Sequence, residues 1–128
     1  MSTPTASAAA DRYLAERVMT ASPAELTAML FDACVGAMKS ALRLQQAGEH
    51  LAATQRLIKA QEIALELRTT LNPEAGELSV SLDALYTFAY GQLLQASLKR
   101  DASATKAALD VVEPLQLAWR TSCLSKAA

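Results

Sequence analysis

The single histidine, His50, and the two cysteines, Cys34 and Cys123, carry the most versatile chemistry in this chain. An imidazole works as general base or metal ligand only beside suitable partners. His50 stands next to a turn signal at Gly48, with no triad partner or second imidazole, and is expected as a solvated surface residue. The cysteines form no CxxC pair and lie far apart in sequence. Each is expected as a small buried hydrophobe, ahead of a disulfide or a reactive thiol. Glu62 and Glu66 lie four apart on one helix face. A di-metal carboxylate bundle would also need two Glu-x-x-His motifs, so these two are expected to face solvent. No Gly-rich phosphate loop, GxSxG elbow or Walker motif is present. The expectation is therefore no enzyme, no cofactor and no metal.

The remaining chemistry is apolar surface. Leu51, Ile58 and Leu65 recur every seven residues. On a helix this line lies about 100° from a second one, Ala53, Leu57, Ala60, Ala64, Leu67 and Leu71. Between the two runs a polar strip of Thr54, Gln61 and Arg68. The steps of four and three in the second line make a heptad seam that faces a core. The first line is either the flank of a wide core, capped by neighbouring helices, or a groove for a partner helix. Tyr90 and Leu94 sit at the edge of the inward arc of a later helix and pose the same choice.

Five helical segments would position these residues. A short leader near 10–19 has an apolar side of Tyr13, Leu14 and Val18. It is too short to persist alone, so it must dock or fray. The first long helix starts at Ser22, an N-cap, with Pro23 at the first helical position and Glu25 placed for a capping box. It runs to about Ala47, ahead of Gly48, with Leu26, Leu30, Ala33, Ala37, Ala41 and Leu44 inward. The next helix covers about 49–71, and Asn72-Pro73-Glu74-Ala75-Gly76 breaks it. The third covers about 77–98, with Leu78, Leu82, Leu85, Ala89, Leu93 and Ala96 inward. After a solvated turn at Lys99-Arg100-Asp101, the fourth covers about 103–122, with Leu109, Val112, Leu115 and Trp119 inward. Pro114 is expected to kink it, the alternative being an end and a restart. The fold class is thus all-α, an antiparallel four-helix bundle with a short N-terminal leader helix. Ala-rich seams should make it slim, with shallow grooves and no polar core cluster.

The totals agree with that reading. A chain of 128 residues suggests one domain, able to bury about two thirds of its unfolded surface. Residues 1–10 are expected to be disordered and 11–125 to form a single helical domain. Hydrophobic residues at 52% and charged residues at 20% argue against wider disorder. Four glycines and four prolines are too few for the turns of an all-β protein. A net charge of −1 lacks the basic footprint of a nucleic-acid binder. No stretch has the length of a membrane span, and the N-terminus lacks a secretory signal. A cytoplasmic protein without nucleic-acid or membrane partners is expected.

Four stretches together resemble the FliS family of flagellar secretion chaperones. They are Tyr13 followed by Thr20-Ala21-Ser22-Pro23-Ala24-Glu25-Leu26 and Met29-Leu30-Phe31-Asp32; Lys59-Ala60-Gln61-Glu62-Ile63 with Glu66-Leu67 and Leu71-Asn72; Leu85-Tyr86 with Leu93-Leu94-Gln95-Ala96; and Ala118-Trp119. The match covers about 13–120. Phe31 stands where the family usually has Tyr, and Ser97 where it has Asn. The resemblance implies a chaperone that binds the C-terminal segment of flagellin, prevents premature polymerisation and helps deliver it to the flagellar export gate. The candidate flagellin contacts are Tyr13, Leu14, Val18, Leu51, Ile58, Ile63, Leu65, Tyr86, Tyr90 and Leu94. The leader is expected to shield the groove when no client is bound. The competing expectation is a structural bundle whose apolar lines make a homodimer.

Overall fold

In the computed structural model of the chain, residues 6–123 are described, with side chains to residue 121. The elements are α1 (Ala6–Thr20), α2 (Pro23–Gln46), α3 (His50–Thr69), a 3₁₀ turn (Pro73–Ala75), α4 (Glu77–Lys99), α5 (Ala102–Ala118) and a terminal π-helical turn (Trp119–Cys123). Among the described residues all regular structure is helical. Residues 6–10, expected to be disordered, are instead helical, because Ala6 and Ala8 to Ala10 are strong helix formers that extend the leader. Residues 1–5, the expected domain end at 125 and the side chain of Cys123 lie outside the described residues.

Local chemistry sets each boundary. Ser22 Oγ accepts from the Glu25 N–H at 3.2 Å and starts α2, with Pro23 at the first position. At the far end Gly48 takes a φ of 77°, which only glycine adopts without strain. The Gly48 N–H donates to Gln45 O and the Glu49 N–H to Leu44 O, which satisfies two orphan carbonyls and turns the chain sharply into α3. Asp101 caps α5, accepting from the Ser103 and Ala104 N–H groups. α5 continues through Pro114 rather than ending there. That leaves the carbonyl four residues earlier without its helical donor.

Helices α2 to α5 form a closed ring in which each packs on the next and α5 returns to α2. Bonds between helices fix their directions. Thr105, near the start of α5, donates to Gln45, near the end of α2, while Gln116 near the end of α5 donates to Asp32 in the first half of α2. The two helices therefore run antiparallel. Arg68 to Asp83 and Gln61 to Ser97 fix the same relation for α3 and α4.

The α3 seam is buried at Ala53, Leu57, Ala60, Ala64 and Leu67, with Leu71 packed against the core. The α2 seam differs from expectation. It buries Ala37 and Ala41 as expected, but its other buried residues, Thr27, Phe31, Cys34, Val35, Met38 and Gln45, lie outside the expected stripe. Leu26, Leu30 and Leu44 are half-buried and Ala33 is exposed. The cause is Phe31, whose ring packs 6.1 Å from Tyr86 and 5.8 Å from Trp119 and so turns the helix. In α4 the same trio brings Tyr86 inward and leaves Leu78 and Leu85 exposed. The core is not wholly apolar either. Thr105 Oγ1 donates to Gln45 Oε1 at 2.8 Å in its interior, and Gln45 Nε2 is buried without a partner among the described residues.

Candidate interaction face

Gln61 locates the candidate face. Its side chain leaves α3 and donates to Leu93 O and to Ser97 Oγ on α4, both at 3.2 Å. One helical repeat further on, Arg68 Nε donates to Asp83 Oδ1 at 2.7 Å. Two residues of the polar strip, Gln61 and Arg68, therefore tie α3 to α4, while Thr54 Oγ1 donates to His50 O on its own helix. Exposed apolar side chains flank these bonds on both helices.

Leu51, Ile58 and Leu65 line the α3 side, 79%, 47% and 41% exposed. On the α4 side Leu94 is at the rim and Tyr90 is half-buried. The Gln61 bonds set Ile58 level with the last turns of α4. Thus Leu51, Ile58, Leu65, Tyr90 and Leu94, chosen from the sequence, share one α3–α4 face. Val80 and Leu98 extend its α4 side and were missed. Their spacing from Leu94, fourteen and four residues, is the signal that could have found them.

Two chosen residues are corrected. Ile63 is 5% exposed and Tyr86 2%, so both belong to the core and present no surface to a partner. Ile63 lies on the other flank of α3, away from α4. Tyr86 is held inward by Phe31. Burial pushes the Tyr86 hydroxyl up to about 12, with the nearby Cys34 thiol adding to it. Burial alone pushes Cys34 to about 12, so it stays a neutral thiol near pH 7.

The leader does not join the face. α1 has no buried residue, and Tyr13, Leu14 and Val18 are all exposed. The Arg17 guanidinium sits 5.9 Å over the Tyr13 ring. His50 also departs from expectation. It is half-buried, and its Nδ1 is shielded from solvent. Glu62 and Glu66 face solvent as expected. No group of three or more His, Cys, Asp or Glu side chains among the described residues is arranged to hold a metal. No helix among them is long and apolar enough to cross a membrane.

Fold and surface together define a class, that of small all-α bundle proteins with a long apolar face between two helices. Comparison with known proteins narrows it. A family model described as flagellar protein FliS matches residues 5–126. The flagellar secretion chaperone FliS of Bacillus subtilis is 34% identical over 114 residues, covering 89% of this chain and 85% of that protein. The Escherichia coli protein of the same name is 36% identical over 110 residues, covering 84% and 81%. A solved structure described as a flagellar chaperone from bacteria superposes with a TM-score of 0.72 at 24% identity, covering 91% of this chain and 96% of that one, and shows the shared fold. The chain belongs to the FliS family of flagellar secretion chaperones, which supports an export chaperone role.

Proposed function

We propose that this protein is a cytoplasmic, non-catalytic export chaperone that binds the C-terminal segment of flagellin. Bound in this way, the segment is kept from premature polymerisation, and the complex is presented to the export gate of the flagellar type III apparatus. The observation that carries the reading is the unpartnered apolar line of Leu51, Ile58 and Leu65 beside Tyr90 and Leu94 on α4. An unfolded client loses conformational freedom on binding, about 2–5 kcal/mol of the gross interaction, and recovers it by burying a large surface. A preformed face along two long helices supplies that surface. Tyr13, Leu14 and Val18 on the exposed leader add a second, detached contact segment.

Calorimetric titration with a flagellin C-terminal peptide from the same organism tests this. One-to-one binding is expected, weakened at least about tenfold by Ile58→Glu or Leu65→Glu with melting temperature nearly unchanged. Unimpaired binding by both folded variants would remove the face from the reading. Concentration-dependent mass without client, abolished by the same variants, would mark it as a self-contact.

A further inference from the structure

A pocket of about 250 Å³ opens at the end of the bundle where α3 connects to α4. It lies below the roughly 300–1,000 Å³ of small-molecule sites and suits a side chain. Leu71 after α3, Leu78 and Leu82 of α4, Tyr86 and Trp119 give it apolar walls, and Thr27 of α2 with Thr70, Asn72 and Ser79 adds polar groups to the lining. The walls are fixed rather than adaptable. Trp119 Nε1 donates to Ala24 O at 3.1 Å, and the ring packs on Phe31. The α3–α4 connection is held by Asn72, whose side chain accepts from the Glu74 N–H at 3.0 Å and whose carbonyl accepts from Ser79 Oγ. Leu78 stands at the rim, 62% exposed.

The pocket is continuous with the α3–α4 face. A shallower groove lined by Arg68, Pro73, Val80 and Asp83 shares Leu71 and Ser79 with it. The Arg68–Asp83 pair in that groove is also the lower rung of the Gln61 seam. We infer that this pocket is an anchor socket for the same client: the chain leaving the α3–α4 face turns over the Pro73–Gly76 connection and seats one bulky apolar side chain between Leu78 and Trp119. The inference rests on the proposed chaperone function, and continuity with the face argues for one occupant serving both. A single aliphatic or aromatic side chain, carried on an extended stretch of peptide, is the ligand class that the volume and lining select.

Trp119 is the only tryptophan in the chain, so its fluorescence reads the socket directly. A tryptophan-free peptide of the flagellin C-terminal segment is titrated into the full-length protein, with heat and emission followed in parallel. Emission should change and saturate at the calorimetric end point. Leu78→Asp, a rim substitution, should weaken binding at least about tenfold without lowering the melting temperature. Should that variant fail to fold, Ala75→Glu on the connection occludes the same opening and should weaken binding likewise. Normal heat of binding with unchanged Trp119 emission and an unweakened folded rim variant would overturn the socket and leave the chaperone reading standing. Absence of both heat and emission change would remove the chaperone reading, and the socket with it.

Discussion

Cys34 shows how burial decides chemistry at the level of one residue. Its thiol donates to Ala60 O at 3.7 Å inside the core and is pushed up to about 12. The thiolate, which is the reactive species, is therefore scarce at neutral pH. In a Cys123→Ser variant, which leaves one thiol, native protein should not react with a disulfide reagent at pH 8 and should do so on unfolding in urea. Prompt reaction of the native state would show that α2 opens locally. Asp101 illustrates the opposite, exposed case. Bonds from the Ser103 side chain, then from Gln95, hold its carboxyl below the ordinary value of 3.8 against an opposing effect of desolvation, with the Ala104 and Ser103 N–H groups adding to the lowering. A depressed carboxylate contributes stability that is present above the unfolded value and is lost as pH falls through the folded one. The melting temperature gap between wild type and Asp101→Asn should be widest near neutral pH and should close as pH drops below 3.8. A gap that persists in strong acid would mean that the charge is not what the cap uses.

Among the elements, α3 was the most legible in sequence and α2 the least, for a reason visible in their side chains. The apolar residues of α3 fall into two separate lines with Thr54, Gln61 and Arg68 between them, so the core line could be chosen without ambiguity. In α2 the apolar residues extend round much of the wheel, and the true core line ends in Thr27 and Gln45, whose polarity hid it. Phe31 is the bulkiest marker of the correct side, and its partners Tyr86 and Trp119 lie far away in sequence. The socket was illegible for the same reason, since α2, the α3–α4 connection, α4 and the terminal turn at Trp119 assemble it from distant segments. The candidate face was half legible: its α3 line stood out by its spacing, whereas Tyr86 and Ile63 were misplaced because α4 is apolar on most sides and α3 also buries the Ile63 flank of its seam, opposite the exposed Leu51, Ile58 and Leu65. The small seam residues lead to a prediction. Ala60 and Ala89 are fully buried where helices meet, so Ala60→Leu or Ala89→Leu should overpack the seam and cost about 1–3 kcal/mol, read from urea unfolding. Deletion of residues 1–20 should by contrast leave the melting temperature nearly unchanged, because α1 buries nothing. A large drop would show that the leader docks in solution.

At the scale of the whole molecule, charge and apolar surface are divided in a way that sets how a client is held. The net charge is −1. The four ion pairs among the described residues, Lys39–Glu113, Arg68–Asp83, Lys106–Asp110 and Arg120–Asp32, are all substantially exposed and contribute little to stability. The polar groups of the candidate face, Gln61, Arg68 and Asp83, are engaged within the protein. They join α3 to α4 instead of projecting toward a partner. What the face offers a client is mainly hydrocarbon. Apolar burial gives a negative heat-capacity change and is little affected by moderate salt, whereas contacts between exposed charges are screened within about 10 Å at 0.1 M. Calorimetry of the flagellin peptide over a range of temperatures should therefore give a clearly negative heat-capacity change. Its Kd should move by less than about threefold between 50 and 500 mM salt, a range over which exposed ion pairs are strongly screened. Steep weakening with salt and a heat-capacity change near zero would reassign the client contact from the α3–α4 face to the charged surface.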